Sequence, residues 1–187
     1  RSGTRRAPSI RAVIALRPAR PEDVGLILRF IRELAAYERL EHEVVATEAL
    51  LTEHLFGAAP KAEVVLAEHA RPNRGEGPDH SEPVGFALFF HNFSTFLGRP
   101  GIYLEDLYVT PAARGQGVAR ALLVHLARLA KTRACGRMEW AVLDWNEPAR
   151  RFYRSLGARF MDDWVLTRLT GEALDALAEE GPGDGAA

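Results

Sequence analysis

Apolar side chains follow two patterns along the chain: they recur at helical spacing in some segments and form short continuous runs in others. The helical spacing predicts helices over 21–34, 47–56, 115–131, 148–156 and 171–178. Short runs rich in valine, isoleucine and phenylalanine predict strands over 13–17, 63–68, 84–91, 102–109, 138–143 and 164–169. This order predicts an α/β (α+β) fold in which helices pack against a mixed central β-sheet.

Length and composition predict one packed domain. The chain has 187 residues, of which 47% are hydrophobic and 26% are charged, as in ordinary globular proteins. A chain of this size buries one good core, and no internal repeat or low-complexity block divides it. We expect a single domain over 12–180, preceded by a flexible basic leader over 1–11 and followed by a disordered tail over 181–187. A long loop over 71–78, rich in glycine and proline, is expected to join two neighbouring strands.

The single cysteine and the lack of a long apolar run bear on the location of the protein. Cys135 has no second cysteine with which to form an internal disulfide, which favours the cytoplasm. No run is long enough to span a bilayer, so no membrane partner is expected. The formal net charge of −1 gives no general attraction to nucleic acid.

Charge is unevenly distributed along the chain. Six acidic residues and one arginine lie between Glu33 and Glu53, whereas 111–137 holds six basic residues and no acid. The first segment suits a cationic ligand and the second a polyanion. Two solvated helix faces would give the same pattern, and the charge runs alone do not choose between these interpretations.

A glycine-rich loop lies between the predicted strand 102–109 and the long helix after it. Its sequence over 114–119 is RGQGVA. Unpaired N–H groups and the positive end of the helix meet there, and the two glycines let the backbone approach a pyrophosphate closely. A dinucleotide fingerprint needs a third small residue where Arg120 stands, and a P-loop needs a lysine followed by serine or threonine. A purely structural turn is the remaining alternative.

Several stretches resemble the GNAT superfamily of N-acetyltransferases. The pattern RxxGxA over 114–119 is similar to the acetyl-CoA pyrophosphate loop of that superfamily, and NEPAxxxY over 146–153 is similar to its second signature. More closely, YLEDLYV over 103–109 and DWNEP over 144–148 resemble the diamine acetyltransferase family, which comprises spermidine/spermine and thialysine N-acetyltransferases. The resemblance covers about 15–178. It implies the GNAT fold, in which splayed parallel strands bind acetyl-CoA as a co-substrate.

The resemblance also implies the residues of the cofactor site. Backbone groups of Leu107 and Val109 are expected to bind the pantetheine arm of acetyl-CoA. The residues expected around the pyrophosphate are Arg114, Gly115, Gln116, Gly117, Val118, Ala119 and Arg120. Those expected on the other side of the arm are Asn146, Glu147, Pro148 and Ala149. The sequence supports this independently, because strands that splay apart leave N–H and C=O groups free for an amide-bearing ligand.

Acetyl transfer to an amine needs a proton acceptor. An alkyl amine with a pKa near 10.4 is about 99.9% protonated at pH 7, a shortage of free nucleophile worth roughly 4 to 5 kcal/mol. Glu105 and Asp106 lie in strand 102–109 and, by strand alternation, are expected to face opposite sides of the sheet. The resemblance implies that Glu105 is the base, acting directly or through water, and that Asp106 is structural. A purely structural role for Glu105 is the alternative.

Departure of the coenzyme A thiolate is helped by a proton donor. The resemblance implies that Tyr153, seven residues after Asn146, is this general acid. Taken without the family, a tyrosine on a short helix is more often an aromatic core residue. No serine or cysteine nucleophile is required, because the amine attacks the thioester directly in a ternary complex.

The resemblance further implies a small cationic amine as the acceptor and a homodimer as the assembly. The acceptor-binding positions that it carries over are Tyr37, Glu38, Glu105, Glu139, Trp140 and Ala141. A carboxylate near a cationic chain is physically favourable. The residues Ser94, Thr95 and Phe96 stand where polyamine enzymes carry an aspartate and a tryptophan, which favours the thialysine branch.

Two other functions share part of this pattern. A protein or peptide N-acetyltransferase uses the same cofactor and chemistry but needs an open groove for its substrate. A non-catalytic acyl-CoA-binding sensor keeps the glycine loop but has no use for Glu105 or Tyr153, and the presence of both argues against it. The six histidines are scattered without metal-ligand spacing, so no metal is expected.

Overall fold

A computed structural model describes residues 13–70 and 81–180. The expected leader over 1–11, the loop over 71–78 and the tail over 181–187 lie outside the described residues. The chain divides into two compact units, Arg1–Ala141 and Val142–Ala187. The single domain over 12–180 therefore stays a prediction.

The first unit is built on a five-stranded sheet with the order β1-β2-β3-β4-β5. The strands are β1 (Val13–Pro18), β2 (Glu63–Ala70), β3 (Glu82–Ser94), β4 (Arg99–Val109) and β5 (Arg137–Trp140). Neighbouring strands from β1 to β4 are antiparallel, whereas β5 is parallel to β4. The mixed sheet expected from the sequence is confirmed.

Helices of the first unit connect these strands. They are α1 (Val24–Glu38), α2 (Glu48–Phe56) and α3 (Val118–Thr132). The first two lie between β1 and β2 in the chain. Thr47 caps the start of α2, and its hydroxyl accepts a hydrogen bond from the Leu50 N–H at 3.3 Å. Between β4 and β5 runs α3, which supplies the crossover that a parallel pair of strands requires.

One face of the sheet is covered by α1 and α2. The apolar side chains packed there are Ile27, Phe30, Leu55, Val64, Leu66, Phe86, Leu88 and Tyr108. The ring of Phe30 lies 5.7 Å from the ring of Phe86 and 5.7 Å from that of Tyr108, measured between centroids. Because Phe30 belongs to α1, Tyr108 and its strand neighbours of the same orientation face this helix.

The other face of the sheet is packed against α3. The buried residues of this helix, Val118, Leu122, Leu123, Leu126 and Ala130, recur at helical spacing. The helix contacts every strand of the sheet, from β1 to β5. Helices therefore cover both faces, and the C-terminal end of β4 leads into the glycine loop and α3.

A one-residue bulge interrupts β4 at Glu105. Leu104 pairs with Phe89 and Asp106 pairs with the adjacent Leu88, so Glu105 is the extra residue. Residues directly opposite each other in antiparallel strands lie on the same face. Asp106 therefore lies with Leu88 on the α1 face, and Leu104 lies with Phe89 on the α3 face. The simple alternation expected for Glu105 and Asp106 does not continue through this bulge.

The last strand of the sheet is shorter than predicted. The sequence pattern predicts a strand over 138–143, whereas β5 ends at Trp140, opposite Leu104 of β4. Since β4 continues to Val109, its residues 105–109 run beyond the end of β5. This arrangement gives the splayed parallel pair that the family resemblance implied.

The second unit, Val142–Ala187, contains α4 (Glu147–Ser155) and α5 (Glu172–Glu179). The strand predicted over 164–169 is wrong, because these residues form no strand in the described part of the chain. Trp164, Val165 and Leu166 are 72%, 83% and 75% exposed. A short run of apolar residues identifies a segment that suits a strand, but a strand also needs a neighbouring strand to pair with its backbone groups.

Candidate active site

The end of β4 directs backbone groups away from β3. The Thr110 N–H donates to the Val84 carbonyl at 2.9 Å, across the β3 edge. The carbonyl and the following N–H of a trans peptide point in opposite directions, so the Val109 carbonyl points away from β3. The two-residue period of a strand gives Leu107 the same orientation. These are the two residues whose backbone groups were expected to bind the pantetheine arm.

Two glycines in the left-handed backbone region shape the loop between β4 and α3. The φ angle is +74° at Gly115 and +90° at Gly117, and a Cβ on either would meet no heavy atom within 4 Å. Only glycine adopts these angles without strain. The backbone therefore requires both glycines, and no side chain covers the loop at either position.

The first turn of α3 begins at this loop with unsatisfied donors. The first hydrogen bond of the helix runs from the Ala121 N–H to the Gly117 carbonyl at 2.9 Å, so the N–H groups of Val118, Ala119 and Arg120 precede the helical ladder. No acidic residue lies in this turn. The donors and the positive helix end together fit a pyrophosphate.

The exposed side chains of Arg114 and Gln116 form hydrogen bonds to carbonyl groups just before the loop. The Arg114 Nε–H donates to the Val109 carbonyl at 3.1 Å, and the guanidinium lies over the ring of Tyr37, with Cζ 4.7 Å from the centroid. The Gln116 Nε2 donates to the Ala112 carbonyl at 2.8 Å. A direct role of these two side chains in pyrophosphate binding stays a prediction.

Three carboxylates interact at the bulge of β4. Burial raises the pKa of Asp106 to about 7, and the negative charges of Glu105 and Glu38 raise it further. Burial also raises the pKa of Glu38. Glu105 is exposed. Asp106, which the sequence analysis treated as structural, is therefore the carboxyl that exchanges its proton near neutral pH, and only its packing on the α1 face reveals this.

The last turn of α1 brings two expected acceptor residues to β4 and to the glycine loop. The helix ends at Glu38, and Arg39 follows in the left-handed region with φ +63°. Glu38 lies close enough to Asp106 to affect its pKa. Tyr37, 37% exposed, contacts Arg114 instead. Consecutive residues of one helical turn thus approach both the carboxylate cluster and the glycine loop.

The expected acceptor residues on β5 are in a different environment. Glu139 accepts a hydrogen bond from Asn92 Nδ2 at 2.7 Å and is paired with Arg137 at 2.8 Å. Burial raises the pKa of Tyr103, and the charges of the nearby Glu105 and Glu139 raise it further. Tyr103 is not among the site residues expected from the sequence. Arg137 offsets the charge of Glu139, which makes the cluster of Glu38, Glu105 and Asp106 the stronger site for a cation.

Two further acceptor positions follow Glu139 at the end of the first unit. Trp140, the last residue of β5, is half-buried, and Ala141 is exposed. The strand ladder places Trp140 opposite Leu104, one residue before the bulge. Contact of either residue with an acceptor stays a prediction.

The second unit holds the other signature at the start of α4. Asn146 is buried and caps the helix, its Oδ1 accepting from the Ala149 N–H at 3.3 Å, while Pro148 occupies the first turn. The Glu147 carboxylate pairs with Arg154 at 2.9 Å. Tyr153 is buried, at 8% exposure. The cap explains why Asn146 and Pro148 occur at this spacing, and their contact with a cofactor stays a prediction.

An open cleft of about 540 Å³ lies between α1 and the end of β4. Arg29, Glu33, Tyr108 and Thr110 are among the residues that line it, and none of the predicted site residues does. Within 13–70 and 81–180, no group of three or more histidine, cysteine or acidic residues is arranged to hold a metal ion. Within the same ranges, no helix has both the length and the apolar character needed to cross a membrane.

Comparison with known proteins identifies close relatives. A thialysine N-epsilon-acetyltransferase from Bos taurus is 39% identical over 171 residues, which cover 89% of this chain and 98% of that protein. An L-ornithine N5-acetyltransferase from Arabidopsis thaliana is 34% identical over 197 residues, covering 87% of this chain and 86% of that protein. Both matches extend over nearly the whole of each protein.

The fold has solved counterparts as well. An integron cassette protein from the mobile metagenome of V. cholerae superposes with a TM-score of 0.69 at 27% identity, over 89% of this chain and 98% of that one. The sequence model of the Acetyltransferase (GNAT) family matches residues 33–158. The chain therefore belongs to the GNAT family of acetyltransferases, which use acetyl-CoA as their co-substrate.

Proposed function

We propose that the protein transfers the acetyl group of acetyl-CoA to the primary amine of a small cationic acceptor, namely a diamine, a polyamine or a thialysine-like amino acid. The observation that carries this proposal is the cluster of Glu38, Glu105 and Asp106. Glu38 directly follows Tyr37, whose ring contacts Arg114 at the glycine loop. Carboxylates gathered in a half-buried place attract a cation and orient it. The acceptor is a substrate whose charged end lies against this cluster.

The cofactor is held, in this proposal, by the backbone of the first unit and by the signature of α4. Leu107 and Val109 bind the pantetheine arm, and the amides from Gly115 to Arg120 bind the pyrophosphate. Residues 146–149 flank the arm. The orientation of the Val109 carbonyl and the unsatisfied N–H groups at the start of α3 support this assignment. Acetyl-CoA supplies the activated acyl group.

The proton of the acceptor ammonium passes to the carboxylate cluster. Glu105 is exposed at the bulge and accepts the proton, directly or through water. The neighbouring Asp106, whose pKa is raised to about 7 by burial and by the charges of Glu105 and Glu38, can release or accept a proton near neutral pH. The freed amine then attacks the thioester carbon, forming the C–N bond directly without an acyl-enzyme.

Tyr153 protonates the departing thiolate of coenzyme A. As the C–S bond breaks, the electron pair stays on sulfur, and a phenol within reach donates its proton. Tyr153 stands at the family position, and its burial favours a fixed hydroxyl. Catalysis in this proposal rests on the proton acceptor at Glu105, the donor at Tyr153 and the positioning of two substrates.

A thialysine-like acceptor is favoured within the class. Four relatives named for thialysine are 32% to 41% identical to this chain. At the site of the aspartate and tryptophan of the polyamine enzymes, Ser94 is buried and accepts from Arg137 at 3.1 Å, while Phe96 is 93% exposed. No acid stands at 94–96 to bind the far amine of a long polyamine.

An acceptor panel tests the proposal. Thialysine, lysine, ornithine, diamines, spermidine and short peptides are each assayed with acetyl-CoA, with release of free thiol as the readout. We expect turnover with small amines and with thialysine above spermidine. Acetylation of peptide N-termini alone would establish a protein acetyltransferase instead, and acetyl-CoA binding without turnover of any amine would establish a sensor.

A pair of acidic variants tests the carboxylate cluster. Glu38→Gln removes one charge from it, and Glu41→Gln removes a charge from the exposed short helix that follows α1. We expect Glu38→Gln to raise the KM for the amine about tenfold, because charged hydrogen-bonded contacts contribute about 1.5 to 3 kcal/mol. The KM for acetyl-CoA should stay constant in both variants. Equal amine KM values for the two variants would contradict the proposed acceptor site.

We further propose that the protein acts as a cytoplasmic homodimer. Cys135 is a free thiol, which fits a reducing compartment. The second unit exposes large apolar side chains over 161–177, among them Trp164 and Val165. Such a concentration of exposed apolar side chains is typical of an interaction surface, and a second copy of the chain is the occupant we propose.

A further inference from the structure

Arg114 connects the end of β4 to the end of α1. Its Nε–H donates to the Val109 carbonyl at 3.1 Å, and its guanidinium lies over the Tyr37 ring at 4.7 Å. Its charge also reaches Tyr108, whose pKa it lowers against the opposing effects of burial and of Glu33. An exposed arginine is thus held in one orientation by a strand carbonyl and by the aromatic ring of a helix.

The fixed orientation of Arg114 lowers the entropy cost of ligand binding at the glycine loop. A free arginine side chain loses rotamer entropy when a ligand fixes it, and this loss opposes binding. The contact with an aromatic ring favours one orientation of the guanidinium before any ligand binds. Because Arg114 directly precedes Gly115, fixing its side chain also restrains the start of the loop.

We propose that Tyr37, through its contact with Arg114, is a positioning residue for acetyl-CoA as well as part of the acceptor site. The ring holds the guanidinium and the Val109 carbonyl in the arrangement that the cofactor needs. This inference rests on the proposed function, because it takes 114–120 as the cofactor loop. It assigns to Tyr37 an effect on the binding of acetyl-CoA in addition to its expected contact with the amine.

A consequence is that the two substrates bind cooperatively. An acceptor that rests against Tyr37 restrains the ring, and the ring restrains Arg114, so acetyl-CoA then binds a better ordered loop. Binding free energies are reciprocal, so acetyl-CoA strengthens acceptor binding by the same factor. The neighbouring Glu38 belongs to the same helical turn and is restrained together with Tyr37.

Calorimetric binding of CoA, an unreactive form of the cofactor, tests the inference without an acceptor. The variants are Tyr37→Leu, which removes the ring, Tyr37→Phe, which keeps it, and Arg114→Gln, alone and combined with Tyr37→Leu. We expect Tyr37→Leu to weaken CoA binding about two- to fivefold, the equivalent of 0.5 to 1 kcal/mol, and Tyr37→Phe to bind as the unmodified chain does. In the Arg114→Gln background, Tyr37→Leu should have no further effect.

Hydrogen exchange supplies a second readout of the same contact. Saturating CoA should slow amide exchange at 35–40 of the unmodified chain and of Tyr37→Phe, and should not do so in Arg114→Gln. Unchanged CoA affinity in Tyr37→Leu, or an equal loss in both Arg114 backgrounds, overturns the inference while leaving the cofactor site in place. Failure of CoA to bind the unmodified chain overturns the cofactor site itself, and the inference with it.

Discussion

Asp106 illustrates how one packing detail changes the chemistry of a side chain. The bulge at Glu105 places Asp106 on the face of the sheet that α1 covers, near Glu38. Burial first, and then two neighbouring negative charges, raise the pKa of this carboxyl to about 7. A group that titrates at neutral pH in a cluster of acids is poised for proton transfer.

The stability of the protein should therefore depend on the ionisation of Asp106. The folded state keeps a proton that the unfolded chain releases above pH 4, so this residue makes stability fall as pH rises from about 4 to 7. In Asp106→Asn that contribution is absent. We expect the variant to lose less stability between pH 5 and 8 than the unmodified chain, by about 1 to 3 kcal/mol in urea unfolding.

Asp162→Asn, which changes an exposed acid of the second unit, is the matched control for this measurement. It should retain the pH dependence of the unmodified chain. A pH dependence in Asp106→Asn that equals the control's would show that Asp106 is ionised in the folded state throughout this range.

Tyr153→Phe separates the hydroxyl from the ring at the proposed general acid. The ring keeps its packing, while the donor to the thiolate is lost, so kcat should fall on the order of a hundredfold or more. Acetyl-CoA affinity should barely change, because the hydroxyl acts mainly in the transition state. Steady-state kinetics and calorimetry on the same preparation measure both quantities.

Tyr108→Phe is the control for the loss of a buried phenol elsewhere. The pKa of Tyr108 is raised to about 12 by burial and by its hydrogen bond to Glu33, and the residue lies outside the proposed chemistry. It should keep nearly full turnover. If Tyr153→Phe retains turnover within a factor of two, Tyr153 is a core aromatic residue and the proton comes from water or another group.

At the scale of elements, the glycine loop can be tested by comparing Gly117 with a second glycine, Gly98, whose substitution introduces similar backbone strain. Gly117 and Gly98 both have positive φ, +90° and +60°, and a Cβ on either meets no atom within 4 Å. Alanine at either position should therefore lower the free energy of unfolding by a similar amount, about 1 to 2 kcal/mol. Only Gly117→Ala places a methyl group at the start of α3, where the pyrophosphate is expected. We predict that it loses acetyl-CoA binding.

Calorimetry with acetyl-CoA and urea unfolding of both variants separate affinity from stability. Gly98, in the turn between β3 and β4, should keep its cofactor affinity when changed to alanine. Equal cofactor affinity in Gly117→Ala and Gly98→Ala would remove the loop from the proposed site.

The same elements show which parts of the site a sequence predicts and which it does not. The glycines at 115 and 117 are local signals, since a positive φ and a close ligand approach both call for glycine, and the structure has them in that conformation. Asn146 is also a local signal, because its side chain caps the helix that begins with the next residue. Such features depend on residues only a few positions apart.

The bulge, the length of β5 and the pKa of Asp106 depend on distant partners. The bulge is a matter of register between β3 and β4, and apolar alternation does not encode it. Whether 141–143 or 164–169 joins a sheet depends on the presence of a neighbouring strand, and the composition of a segment does not reveal whether such a strand lies beside it. The pKa of Asp106 is raised first by burial and then by the charges of Glu105 and of Glu38, and both the burial and the approach of Glu38, 68 positions earlier in the chain, arise only after folding.

At the scale of the whole molecule, the two units differ in how many of their large apolar side chains are buried. The first unit buries a core on both faces of its sheet. In the second unit, seven large apolar residues between Met161 and Leu177 are exposed by 46% to 83%, whereas Tyr153 and Asn146 are its buried residues within the described part of the chain. Water contact with this much apolar surface is unfavourable by about 25 cal/mol per Å².

A homodimer would cover this surface, and a matched pair of valines tests it. Val165 and Val45 are each 83% exposed, the first in the apolar segment 161–177 of the second unit and the second in the segment between α1 and α2 of the first unit. Light scattering should give the unmodified chain twice its mass of 20.7 kDa. An aspartate at an interface must be dehydrated without a partner, so Val165→Asp should weaken dimerisation at least about a hundredfold, while Val45→Asp leaves it unchanged. A monomeric unmodified chain at micromolar concentration, or equal masses for the two variants, would show that 161–177 is not the dimer surface.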